Sequence, residues 1–262
     1  MITGLYMGSI LHLLLLFTVG SIAGFINVNA GGGSTLTLPV LLFLGLDAAA
    51  ANGTNRIAIV IQNIFAVSSF KKRNVAEFRK SFSLSLITLP GAIAGSILAV
   101  RIDNLWFQRL LGLVMIAIVL SMIFKPSNNA EEENRPLSSL KKIMVYPALF
   151  FAGFYGGFIQ VGVGFIMMAI LSHLLHLSLI RVNMHKVFIV LVYTLPALAV
   201  FIVTKNIIWG YGLCLAAGNG FGAWWGAHAA VKSGEKIIKR VLAAAILIMA
   251  SKLLGLFDLI FS

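Results

Sequence analysis

Two glycine-rich interruptions carry most of the polar chemistry in this chain of 262 residues. The first reads Asn27-Val28-Asn29-Ala30-Gly31-Gly32-Gly33-Ser34-Thr35. Glycines let the backbone approach a ligand closely. A helix that starts at Ser34 and Thr35 presents free N–H groups and the positive end of its dipole. The chemistry of such a place is anion binding, with the Asn29 amide and the two hydroxyls as further donors. The second interruption reads Gly157-Phe158-Ile159-Gln160-Val161-Gly162-Val163-Gly164. It offers one amide, Gln160, and no hydroxyl pair. Downstream of each break an amide is followed by a cation, in Asn52-Gly53-Thr54-Asn55-Arg56 and in Asn183-Met184-His185-Lys186. Asn52 and Asn183 are expected to open the next helices, either as plain N-caps or as donors to an anion. Arg56 and Lys186 would draw the anion in, or else snorkel to an interface. Gln62 and Asn63 lie deeper in an apolar helix and need partners there.

The elements that position these residues must sit in lipid. Residues of the set AVILMFWYC make up 60% of the chain and charged residues 11%, with a mean hydropathy of +0.99. A soluble domain is nearer half apolar and a quarter charged. The fold class is therefore all-α, a polytopic integral membrane protein, and a soluble enzyme or a disulfide-stapled secreted domain is excluded. One cysteine, Cys214, cannot form an internal disulfide. A net charge of +12 would suggest nucleic acid in a soluble protein. Between apolar segments, Lys and Arg instead mark cytoplasmic loops. The expected partners are the lipid bilayer of the cell membrane (the inner membrane in a Gram-negative source) and a small anion, with no nucleic acid; homo-oligomerisation stays open. No catalytic residue, metal site or cofactor is expected. His173 and His176 have no Cys or carboxylate beside them, and no phosphate-binding loop is present. Asp47 and Asp258 lie near segment ends, which leaves a coupling ion unassigned. The start, Met1 to Gly8, lacks the basic residues of a cleavable signal.

Apolar runs follow one another at 8–30, 34–50, 52–70, 81–100, 105–124, 143–161, 163–180, 187–204, 207–230 and 241–260. Most approach the ~20 residues that a spanning helix needs. The polar stretch 125–142 divides the chain into a first repeat, 1–124, and a second, 143–262, within one membrane domain. A shift of 131 positions aligns Gly31 with Gly162, Gly33 with Gly164, Asn52 with Asn183, Gly91-Ala92 with Gly222-Ala223, Gly95 with Gly226 and Arg109 with Arg240, and sets Asn29 opposite Gln160. Repeats with equivalent broken helices are the sequence mark of secondary transporters, whose site lies where the breaks meet. Unwound backbone in lipid must be buried in protein or line a water-filled cavity. Two crossings per broken pair make the repeats inverted and collect most Lys and Arg on one side, with both termini on the other. Gly91, Gly95, Gly222 and Gly226 are expected to be packing faces.

Gly24 through Gly33 with Pro39, the Asn52-Gly53-Thr54 turn, Gly153 through Gly164 and the later glycine pairs resemble the sulfite exporter TauE/SafE family over nearly the whole chain. The resemblance implies a permease or exporter of small sulfur-containing or organic anions, such as sulfite or sulfonates. Asn29, Gly31, Gly32, Gly33, Ser34, Thr35, Asn52, Thr54, Asn55, Arg56, Gln160, Gly162, Gly164, Asn183, His185 and Lys186 are then the expected substrate site. An anion channel and a membrane-embedded enzyme are the alternatives.

Overall fold

In a computed structural model, residues 2–29, 32–72, 77–121, 139–228 and 235–255 are described, and among them every regular element is helical. The first half contains α1 (Ile2–Asn29), α2 (Ser34–Phe43), α3 (Ala48–Lys72), α4 (Phe78–Arg101) and α5 (Asn104–Ser121). The second contains α6 (Ser139–Phe158), α7 (Val163–Ala169) with a π-turn over Ile170–Leu174, α8 (Leu179–Val203), α9 (Trp209–His228) and α10 (Glu235–Leu253). The bounds of α8 are those of α3 displaced by 131 positions. Three helical stretches among the described residues, Ile10–Asn27, Phe78–Arg101 and Ile180–Val203, are long and apolar enough to cross a membrane by themselves. Burial explains why α3 is more polar: Asn52, Thr54, Asn55 and Arg56 are turned entirely inward, where they cost lipid contact nothing.

Several expected boundaries move. The run 34–50 ends as a helix at Phe43, because Gly45 is left-handed (φ 89°) and its neighbour Leu46 N–H closes on Leu41 O at 3.2 Å. Ten residues rise about 15 Å, half of a hydrocarbon core. The run 163–180 stops likewise near His176, which is left-handed at φ 49° and sits 131 positions after Gly45. Neither Asn52 nor Asn183 opens a helix. α3 starts at Ala48, where Asp47 Oδ1 accepts the Ala50 N–H at 2.8 Å, and α8 starts at Leu179. Polar residues inside these helices looked like boundaries because they face neighbouring helices rather than lipid. The helix α6 begins at Ser139, inside the stretch read as a linker, whose residues 125–138 lie outside the described residues, as do Gly31, Asp258, the side chain of Asn29 and the packing around Gly226.

Contacts fix the helix directions. Along the seam of α1 with α9, Leu13 O accepts from Cys214 Sγ, and a Cβ on Gly218 or Gly222 would strike the backbone of Phe17 or Ser21. The two helices therefore run parallel. So do α4 and α6, since Gly153 and Gly157 press on Thr88 and Ala92 in order. Thr54 meets Ile208 and Ile57 meets Gly212, which makes α3 parallel to α9. Glu77 and Ser81 meet Arg181 and His185, which makes α4 parallel to α8. Gly53 at the start of α3, however, packs against Phe201 and Asn206 at the end of α8. Helices α1, α3 and α9 thus leave one face of the bundle, here face I, and α4, α6 and α8 leave the opposite one, face II. Helix α2 returns to face I, where Lys252 of α10 lies 4.6 Å from the Phe43 ring.

Candidate functional site

Where α6 ends, its last carbonyls lose their helical partners and would be orphaned in the bundle interior. Residues of α3 meet them. The fully buried Arg56 donates from Nη2 to Gly156 O at 3.1 Å and to Gly157 O at 2.5 Å, and from Nη1 to Gln160 Oε1 at 3.2 Å. Asn52, one turn earlier, donates from Nδ2 to Phe158 O at 2.6 Å. The guanidinium lies 5.0 Å from the Phe201 ring of α8, a cation–π distance. A basic group at a helix C-terminus also meets the negative end of its dipole.

The break itself is held in an unusual backbone. Gln160 and Gly162 are both left-handed, at φ 69° and φ 73°. For a residue with a Cβ that conformation is uncommon and persists only where the surroundings hold it. Here Arg56 and the Tyr193 hydroxyl, 3.3 Å away, both donate to Gln160 Oε1. Tyr155 from α6 donates its hydroxyl to Val161 O.

The first break approaches the second: a Cβ on Gly32 (φ 86°) would lie 3.0 Å from Phe165 Cε2, just beyond Gly164. Ser34 begins α2 as expected, and Thr35 turns back to donate to Gly32 O at 2.6 Å. Thr37 of α2 donates to Asn55 Oδ1 at 2.7 Å. Beside these contacts, Asn52 Oδ1, Asn55 Nδ2 and Arg56 Nε are buried without a hydrogen-bond partner. Thr54 is used in packing, its Oγ1 accepting the Ile208 N–H at 2.9 Å.

Asn183, His185 and Lys186 form a separate group about two turns back along α8 from Tyr193. Lys186 Nζ donates to Asn183 Oδ1 at 2.8 Å, and its stem passes Gly164, whose Cβ would lie 3.8 Å from Lys186 Cδ. Arg56 and Lys186 therefore meet different parts of the second break, Gly156 to Gln160 for the one and Gly164 for the other. His185 turns away, toward Ser81. Deeper in α3, Asn63 finds the partner it needs in Ile59 O at 2.7 Å. Sequence reasoning missed Tyr193, Thr37 and Phe201. A tyrosine hydroxyl within a helix as apolar as α8 was the available signal, since a buried hydroxyl needs a partner.

The family model for the sulfite exporter TauE/SafE matches residues 16–253. The chain is 30% identical to a probable membrane transporter protein of Haemophilus influenzae, over 92% of this chain and 94% of that protein. It is 28% identical to a probable membrane transporter protein of a Sinorhizobium species, over 93% of each chain. A third relative, from Escherichia coli K12 and also described as a probable membrane transporter protein, is 27% identical over 95% of this chain and 92% of its own. No solved structure matches the chain.

Proposed function

The chain belongs to the sulfite exporter TauE/SafE family, and on that premise we propose that this membrane transporter carries small oxyanions, sulfite or a sulfonate, between its two broken helix pairs. One observation carries the proposal. Arg56 is a wholly buried cation whose hydrogen-bond partners are neutral acceptors. A buried charge costs several kcal/mol unless it is paired. The unpartnered Arg56 Nε and Asn55 Nδ2, beside the start of α2, are donors that an oxyanion would satisfy. Lys186, beside Gly164 at the later end of the second break, supplies a second positive charge.

The two halves are proposed to be inverted repeats, a reading supported by the opposite directions of α1 and α6, of α3 and α8, and of α4 and α9. Among the described residues, the cations at the helix ends that are not buried are Lys71, Arg79, Lys80, Lys141 and Arg181 at face II, against Arg101, Arg109, Lys205 and Lys252 at face I. Face II is then cytoplasmic, and both termini lie outside. Reporters fused at either end are expected to show an external terminus, and a cytoplasmic signal from either overturns the arrangement.

A carrier also differs from a channel in its kinetics. In proteoliposomes, labelled methanesulfonate or sulfite is expected to enter in a saturable way, faster when unlabelled anion is preloaded inside. Flux that neither saturates nor responds to preloading would favour a channel. Asn52→Ala and Asn183→Ala separate the two groups of residues. The first removes a hydrogen bond worth about 1 kcal/mol and leaves Phe158 O unpaired. It is expected to lower the melting temperature and weaken methanesulfonate binding together. Asn183→Ala only frees Lys186, so weakened binding at unchanged stability is expected. A stability loss without any loss of binding, at both positions, would place the anion elsewhere.

A further inference from the structure

At face II, where α4 and α8 begin, a chain of titratable groups is left over by the anion site. His185 and Ser81 are fully buried, with His185 Nδ1 2.8 Å from Ser81 Oγ. On the other side of the ring, Nε2 faces Glu77 Oε2 at 3.6 Å, beyond hydrogen-bond reach, and is otherwise without a partner. Glu77 is 34% exposed, pairs with Arg181 at 3.3 Å, and walls an open cavity of about 590 Å³ together with Arg79 and Lys80. Water therefore reaches the carboxylate, and the carboxylate reaches toward the imidazole.

The order Ser, His, Glu also serves acyl transfer, but Ser81 and His185 expose no surface on which an acyl group could be attacked. A proton needs no such room. An imidazole can take up a proton at one ring nitrogen while the other holds its hydrogen bond, and carboxylate–histidine chains inside helix bundles serve as proton routes. The charged groups that face the ring are Glu77 and Lys80 from α4 and Arg181 from α8, with Lys186 next in sequence. At the corresponding place on face I, 131 positions away, Thr54 accepts a backbone N–H from Ile208, and neither group can titrate. The arrangement is one-sided, as a device that senses one compartment must be.

We propose that His185, reached through Glu77, binds a proton from the face II compartment and through it sets the rate of anion movement. The proposal rests on reading the chain as an anion carrier. The proton passes from water to the Glu77 carboxylate and on to His185 Nε2, and it leaves by the same groups. An imidazolium draws Glu77 across the 3.6 Å gap and holds the start of α4 to the start of α8. Loss of the proton releases that hold. Because Lys186 is the next residue on α8 and passes Gly164, a shift of this first turn is felt at the second break.

The full chain in proteoliposomes tests this, with methanesulfonate as the probe because it stays ionised, so that pH acts on the protein and not on the anion. Exchange of labelled for unlabelled methanesulfonate at one fixed pH tests the carrier reading alone. The same exchange with the pH varied on one side of the membrane at a time tests the proton site. The wild type is expected to show exchange whose rate changes several-fold with the pH on the face II side and little with the pH on the other side. His185→Gln should retain exchange and lose that response. Glu77→Gln, at a partly exposed position, carries the same test should the first variant not assemble. A wild-type rate that ignores the pH on the face II side, or a full response retained by both variants, overturns the proton site. If neither methanesulfonate nor sulfite exchanges, the carrier reading fails, and nitrogen NMR of His185 in nanodiscs judges the proton site separately. A ring whose protonation changes with pH in a manner altered by Glu77→Gln supports it, and a ring that keeps one state throughout overturns it.

Discussion

Arg56→Gln is expected to reduce methanesulfonate affinity by about 10- to 100-fold, the equivalent of one charge-assisted hydrogen bond of ~1.5–3 kcal/mol. The guanidinium reaches four partners in one plane-like fork: two carbonyls at the end of α6, the Gln160 amide and the Phe201 ring. Glutamine is shorter, is neutral, and leaves at least one of those carbonyls bare. Arg56→Lys keeps the charge and loses the fork, so an intermediate loss is expected. Arg101→Gln is the control, since Arg101 is exposed at face I. Measured at two salt concentrations, the Arg56 loss should persist, because screening weakens exposed charges more than buried ones. Equal, salt-sensitive losses at Arg56 and Arg101 would reduce Arg56 to part of a diffuse field, and the site would have to be sought at the glycines and amides alone.

The structure also changes what Arg56 is understood to do. From the sequence it was a cation near a helix opening, poised to attract. In the bundle it already caps a broken helix, so an anion that engages it competes with the carbonyls of Gly156 and Gly157 or completes their shell through Nε. On the proposed reading, anion binding and the conformation of the break are linked through a single side chain.

How much of this was legible beforehand depended on the physics behind each signal. The breaks at Gly31 to Gly33 and Gly157 to Gly164 stood out because glycine runs interrupt apolar stretches that otherwise have no reason to stop. The start of α2 at Ser34 followed from them. The start of α3 did not. Asn52 looked like a cap because polarity usually marks a helix end, whereas a transporter interior keeps polar residues within helices for use. Gln160 was visible as an amide at a break, but its left-handed backbone was not, since glycine is the residue expected there. The Glu77–His185 juxtaposition was out of reach: these residues are far apart in the chain, and only the parallel packing of α4 on α8 brings them together. The small-residue pairs, in contrast, were read correctly as packing faces for Gly91, Gly95 and Gly222.

Those faces set the second large expectation. Gly157→Leu and Gly222→Leu should each prevent assembly of a monodisperse, thermally stable protein in detergent. A Cβ on Gly157 falls on the backbone of Ala92, and one on Gly222 on the backbone of Ser21. Side chains can rotate away from an added atom, but a neighbouring backbone can move only if the whole helix does. The cost is therefore at or above the ~3 kcal/mol upper end of ordinary overpacking. Gly210→Ala is the contrast, because nothing lies within 4 Å of its added Cβ, and it should leave stability unchanged. The two seams join α1 to α9 and α4 to α6, so each welds a helix of one half to a helix of the other. With the halves laced together in this way, opening and closing cannot consist of one half swinging from the other. Motion must instead pass through the elements that escape the seams, α2, α7 and the first two turns of α3 and α8, where Asn52, Asn55, Arg56 and His185 hold unpartnered polar atoms and where left-handed Gly32 and Gly162 precede α2 and α7. Normal stability in either leucine variant would mean that the seams can part, and the rigid and moving portions of the molecule would then have to be exchanged.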